Sequence, residues 1–139
     1  MSKCDPGLLA AVPLFADLSA RELKQLAGVA KSMTYRPGTV VVEEGTPGGR
    51  FFAVQAGTAK VLVGGRTRAT LGPGAYFGEL AVIDDGPRTA SVVAIDTLEV
   101  WSIAEFNFRA LIKQSPGIAT KLLRALATRL REAERSYVS

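Results

Sequence analysis

The sequence predicts an α+β protein, an antiparallel β-roll of jelly-roll-like form, with helices before it and two helices after it. Three observations predict this. From Met33 to Ile103, short β-branched or aromatic runs alternate with glycine-containing breakers, the pattern of short strands joined by tight turns. On either side, apolar residues recur at three- and four-residue spacing, the period of an amphipathic helix. A chain of 139 residues is long enough for one hydrophobic core and short for two, so a single domain over 1–139 is expected.

The elements follow in order. Asp5-Pro6-Gly7 lies in a segment expected to be loosely held, with Cys4 an inert residue there. Leu9, Val12, Phe15 and Leu18 stand close to helical spacing, and Pro13 predicts a break among them. Ser19-Ala20-Arg21-Glu22 is a capping box, and its helix should bury Leu23, Leu26 and Ala30. The N-terminal helices thus occupy 8–32 and the roll 33–103. Strands are expected at Thr39–Glu43, Arg50–Gln55, Thr58–Val63, Arg66–Leu71, Arg88–Ile95 and Thr97–Ile103. Gly64-Gly65 between two of them reads as a tight hairpin, because both turn positions tolerate positive φ. Beyond the roll, Ser102-Ile103-Ala104-Glu105 reads as a second capping box, opening a helix to Gln114 that buries Phe106, Ala110 and Leu111. Ser115-Pro116 starts the last helix, with proline at a favoured first position. Its stripe is Ile118, Leu122, Leu126, Leu130, Ala133 and Tyr137, and these two helices fill 103–137.

Composition removes several classes of function. Apolar and charged fractions of 47% and 22% are those of an ordinary globular protein. No apolar run approaches a membrane span, and the N-terminal Leu8–Phe15 run lacks the basic start of a signal peptide. One cysteine forms no internal disulfide, so a cytoplasmic setting is expected. The chain has no histidine, which excludes Ser-His-Asp and Cys-His nucleophile systems and disfavours imidazole-based metal sites. Asp84-Asp85 reads as a polar turn, since no third oxygen ligand follows at calcium-loop spacing. A binder is therefore expected rather than an enzyme, with no metal and no cofactor. The net charge of +4 suits anions in general. Much of the basic excess falls in the last helix, a solvated face rather than a DNA-reading one, so DNA binding by this chain is not expected.

One stretch, 72–91, interrupts the β-pattern. Gly72-Pro73-Gly74 is turn chemistry; then come Phe77-Gly78-Glu79-Leu80-Ala81 and, after a short loop, Pro87-Arg88-Thr89-Ala90-Ser91. A helix begun near Gly78 presents free backbone N–H groups to an anion. Glu79 in its first turn accepts hydrogen bonds from hydroxyls, and the Arg88 guanidinium clamps phosphate through paired donors. A ligand with a hydroxyl at one end and a single phosphate at the other satisfies all three groups. The competing reading pairs Glu79 with Arg88 on a surface loop.

Both blocks resemble, at every position, the phosphate-binding cassette of cyclic nucleotide-binding domains. Those domains serve cyclic nucleotide-dependent kinases, gated channels and catabolite-activator-type regulators. The resemblance runs from Val12-Pro13-Leu14-Phe15 to the last helix. It implies a module that binds cAMP or cGMP and regulates an effector lying outside this chain. Glu79 and the Gly78 N–H would take the ribose 2′-hydroxyl. Arg88 would meet the exocyclic phosphate oxygens with the N–H groups of Ala81 and Thr89, and Leu80 completes the cassette. Thr89 is compatible with either base; cAMP is favoured over cGMP. Arg129 is the choice for the base cap. The last helix is expected either to close over the base or to pair with a second subunit, two readings that are compatible.

Overall fold

The structure, a computed structural model, describes residues 4–78 and 86–138. It opens with α1 (Pro6–Ala10), a 3₁₀ turn (Pro13–Phe15) and α2 (Ala20–Val29). The break comes at Pro13, and Leu9, Val12, Phe15 and Leu18 are all buried. Cys4 corrects the expectation of a loose terminus: it is buried in the same cluster. Burial, with Asp5 beside it, pushes its thiol up to about 11, so it stays protonated and unreactive at neutral pH. The capping box of α2 is complete. Ser19 Oγ accepts from the Glu22 N–H at 3.1 Å, and Glu22 Oε1 accepts from the Ser19 N–H at 2.8 Å. The helix buries Leu23, Leu26 and Ala27; Ala30 is its C-cap, because the chain turns extended there.

Among the described residues eight strands follow: β1 (Lys31–Tyr35), β2 (Val40–Val42), β3 (Arg50–Ala56), β4 (Ala59–Val63), β5 (Arg66–Leu71), β6 (Tyr76–Phe77), β7 (Ser91–Ala94) and β8 (Leu98–Ala104). They form two antiparallel four-stranded sheets, β1-β8-β3-β6 and β2-β7-β4-β5. Gly64 and Gly65 make the β4–β5 hairpin with φ of 60° and 80°, and Val63 pairs with Arg66 across it. β1 and β6 are additions to the predicted set.

The alternation along β3 and β8 explains why both strands are apolar almost throughout. Phe51, Ala53, Trp101 and Ile103 face the helices and pack with Phe15, Leu26 and Phe108. Phe52, Val54, Leu98 and Val100 face the other sheet and pack with Phe77, Val92 and Ala94. A strand covered on both faces loses the polar half of its period-two pattern.

The C-terminal helices are α3 (Glu105–Gln114) and α4 (Pro116–Val138). Two expectations need correction here. Ser102 does not cap α3; it lies in β8, buried, accepting a hydrogen bond from Arg50 Nη1 at 3.0 Å, and Ala104 is the N-cap without a side-chain bond. The strand continues two residues further than the box implied, and that rotates the helix. Phe108, 1% exposed, is the core aromatic, while Phe106 is 81% exposed. The stripe of α4 divides. Ile118 and Leu122 are buried, Leu126 is half-buried against the core, and Leu130 is 61% exposed. Lys121 Nζ meets Glu22 Oε1 at 2.7 Å, tying the second turn of α4 to the cap of α2. Among the described residues no helix is long and apolar enough to cross a membrane.

Candidate functional site

The site is assembled where β3, β6 and the approach to β7 meet. β6 is short but firmly registered, with Phe77 opposite Phe52 and Tyr76 opposite Ala53 on β3. The Phe52 and Phe77 rings stack with centroids 4.8 Å apart. That pairing delivers Gly78 at φ +90° beside the head of β3. Only glycine adopts this backbone without strain. A Cβ there would also stand 2.5 Å from the Arg50 carbonyl oxygen and 2.7 Å from Arg88 Nη1.

Arg88 arrives from the other side. Pro87 bridges to Pro47, the Arg88 N–H donates to the Thr46 carbonyl at 2.8 Å, and the Arg88 carbonyl accepts from the Gly45 N–H at 2.8 Å. The backbone is thus clamped on both sides. Arg88 as a residue is buried, 8% exposed. Nη2 donates to the Arg50 carbonyl at 2.9 Å and Nη1 to the Gly78 carbonyl at 3.4 Å, and the group lies 6.0 Å from the Phe52 ring centroid. A cation so deep in an apolar wall strengthens any interaction with an incoming anion, because water screens it poorly.

In front of Arg88 lies a hollow of about 220 Å³. Val42, Val61, Leu71 and Val92 give it an apolar floor; Tyr76, Phe77 and Gly78 form one side, and Arg88, Thr89 and Ala90 another. Arg129 closes it from α4, its guanidinium 5.0 Å from the Tyr76 ring centroid, a cation–π geometry. The hollow can therefore hold a flat, partly apolar group at the Tyr76–Arg129 end and an anion at the Arg88 end. Among the described residues no cluster of three His, Cys, Asp or Glu side chains is gathered for a metal ion.

Of the residues singled out from sequence, Gly78, Arg88, Thr89 and Arg129 converge on this hollow although Gly78 and Arg129 stand 51 positions apart. Glu79, Leu80 and Ala81 lie outside the described residues, as does the Asp84-Asp85 turn. Sequence reasoning missed Tyr76 and Arg50. The signal for Arg50 was available: it occupies the same inward series as Phe52 and Val54, a charge at an apolar position.

Residues 32–115 match the family described as the cyclic nucleotide-binding domain. The chain is 39% identical over 108 residues to a cAMP-dependent protein kinase regulatory subunit of Yarrowia lipolytica, covering 76% of this chain and 29% of that one. It is 35% identical over 127 residues to the Cyclic AMP receptor protein of Thermus thermophilus, covering 88% of this chain and 59% of that one. It thus spans less than two thirds of the length of either relative. Among solved structures, the N-terminal domain of a transcriptional regulator from Streptomyces coelicolor A3(2) superposes with a TM-score of 0.78 at 31% identity, over 90% of this chain and 91% of that one. A match over more than half the chain, on the same two-sheet roll, places this protein in the cyclic nucleotide-binding domain family.

Proposed function

We propose that the chain is a cAMP sensor, a regulatory module that binds rather than transforms its ligand. The observation that carries this reading is Arg88, buried at the end of an apolar hollow with its guanidinium held by two main-chain carbonyls. A cyclic phosphate bears one negative charge, and one fork-shaped cation with a few amides neutralises it without a metal. Arg88 takes the exocyclic oxygens together with the N–H groups of Ala81 and Thr89. Glu79 and the Gly78 N–H take the ribose 2′-hydroxyl, and Leu80 belongs to the same cassette. The purine lies against Tyr76 and under Arg129. The names of the kinase subunit and the receptor protein favour cAMP over cGMP.

The switch is α4. Its first turns are anchored through Ile118, Leu122 and the Lys121–Glu22 pair, whereas Arg129 reaches the hollow from a half whose Leu130 is exposed. A ligand engaging Arg129 biases the distal half without disturbing the anchored one, and that difference in affinity between two positions makes binding regulatory. A second copy or an effector reads the change; exposed Leu123 and Leu130 favour pairing through α4 as the second reading.

Thermal unfolding with cAMP, cGMP and linear AMP tests the assignment. Mass action raises the midpoint only for ligands that bind the folded state. The expected order is cAMP, then cGMP, with AMP inert; no shift with any of the three overturns it. Sedimentation with and without cAMP tests the pairing, which a monomer in both conditions excludes.

A further inference from the structure

We infer that Arg50, through its anchorage to Ser102, is a positioning residue that aims the Arg88 guanidinium at the ligand phosphate; this rests on the cAMP-binding reading above. Arg88 borders two spaces. Ahead of it is the hollow of about 220 Å³. Behind it is another of about 550 Å³, lined by Tyr35, Glu43, Thr46 and Arg50 among others. A long cationic side chain between two cavities needs a reason to face one of them.

Arg50 supplies the reason twice. Its carbonyl oxygen accepts from Arg88 Nη2 at 2.9 Å, in the very gap kept open by the missing Cβ of Gly78. Arg50 itself borders the rear space, and a cationic residue there disfavours the entry of a second guanidinium. The carbonyl is well placed only if the head of β3 is fixed, and strand ends fray. Arg50 pairs with Ala104 in the last rung of the β3–β8 ladder, and beyond it the Gly49 carbonyl accepts from the Glu105 N–H at 2.7 Å. The side chain closes that end by donating to Ser102 Oγ, 3.0 Å away and buried on the neighbouring strand. An arginine anchored at both its backbone and its tip is a rigid strut. It is not among the residues lining the hollow ahead of Arg88, and its effect passes through Arg88.

The test uses the whole chain and the two phosphorothioate diastereomers of cAMP. In each, sulfur replaces one of the two exocyclic oxygens and accepts hydrogen bonds more weakly. A firmly aimed Arg88 fork distinguishes them; a loosened one does so less. Titration calorimetry of the unaltered chain, Arg88→Leu, Arg50→Met and Ser102→Ala separates the cases, with thermal unfolding recording that each variant is folded. For Arg50→Met we expect about a tenfold loss of cAMP affinity, equivalent to about 1.4 kcal/mol, and a severalfold narrowing of the affinity ratio between the diastereomers. Ser102→Ala should shift the ratio in the same direction. An unmoved ratio in both variants overturns the inference, even if both diastereomers bind more weakly, because a merely structural role lowers them together. If the unaltered chain binds no cAMP, or Arg88→Leu binds as well as it does, the cAMP reading itself fails.

Discussion

Replacing Gly78 by alanine tests the geometry most directly, because the structure supplies its own control. Gly74 and Gly78 share a φ of +90°. Around Gly74 nothing lies within 4 Å of a built Cβ, whereas at Gly78 that carbon meets the Arg50 carbonyl oxygen at 2.5 Å and Arg88 Nη1 at 2.7 Å. Both substitutions incur the strain of a left-handed alanine, about 1–2 kcal/mol, and both recover about 0.4–1 kcal/mol from a stiffer unfolded chain. These terms are common to the two. Gly78→Ala alone must open the gap by close to an ångström, and the Arg50 carbonyl belongs to a sheet that resists moving. The flexible partner gives way, so Arg88 Nη1 is pushed from its place. Losing one charge-assisted contact is worth about 1.5–3 kcal/mol, or roughly tenfold to a hundredfold in affinity. Isothermal titration with cAMP and thermal unfolding of both variants provide the readouts. Gly74→Ala should lose a little stability and keep its affinity; Gly78→Ala should lose both. Equal affinity of the two variants would refute the crowding argument.

Three further expectations follow from the same contacts. Arg88→Leu should weaken cAMP binding by tens- to thousands-fold, since leaving a desolvated anion without its partner costs about 2–5 kcal/mol; calorimetry on the folded variant measures it. Phe108→Ala should cost about 3–5 kcal/mol in denaturant unfolding, while Phe106→Ala, at an exposed position, should stay within about 0.5 kcal/mol. The Glu22 carboxyl is held below the usual carboxylate range, first by the hydrogen bond from Lys121 and then by the Ser19 N–H. A depressed folded pKa contributes stability that is present above the unfolded value and lost as pH falls through the folded one. Glu22→Gln keeps a capping-box side chain and removes the charge. It should lower stability by about 0.5–1 kcal/mol at neutral pH and flatten the decline below about pH 4.5; an unchanged acid limb would exclude the Lys121 pair as its cause.

Much of the fold was legible because its signals are local. Ser19 and Glu22 cap a helix whatever surrounds them, and Gly64-Gly65 turns a hairpin through its own φ angles. Pro13 broke the first helical run for the same reason. The failures share a different cause. β1 reads Lys-Ser-Met-Thr-Tyr and β6 is two residues long; neither has a pattern of its own, and each is a strand because β8 or β3 supplies the partner. Ser102 carries the residue type of a cap and the burial of a core position, and the Arg50 guanidinium decided between them. Phe106 and Phe108 are equally apolar in sequence. Which one enters the core depends on where β8 stops.

The site divides along the same line. The alternating short runs of Met33–Ile103 announced the β-roll, and the cassette residues from Phe77 to Ser91 with the missing histidines led to the expectation of a phosphate-bearing ligand held without metal. Such chemistry is written in residue type and short spacing. The chain could not state that the Arg50 carbonyl holds Arg88, that Tyr76 lies beneath Arg129, or that the stripe of α4 passes from core to solvent after Leu126. Each is a meeting of distant segments, fixed by how sheets and helices pack, and no local pattern encodes a distance across the fold.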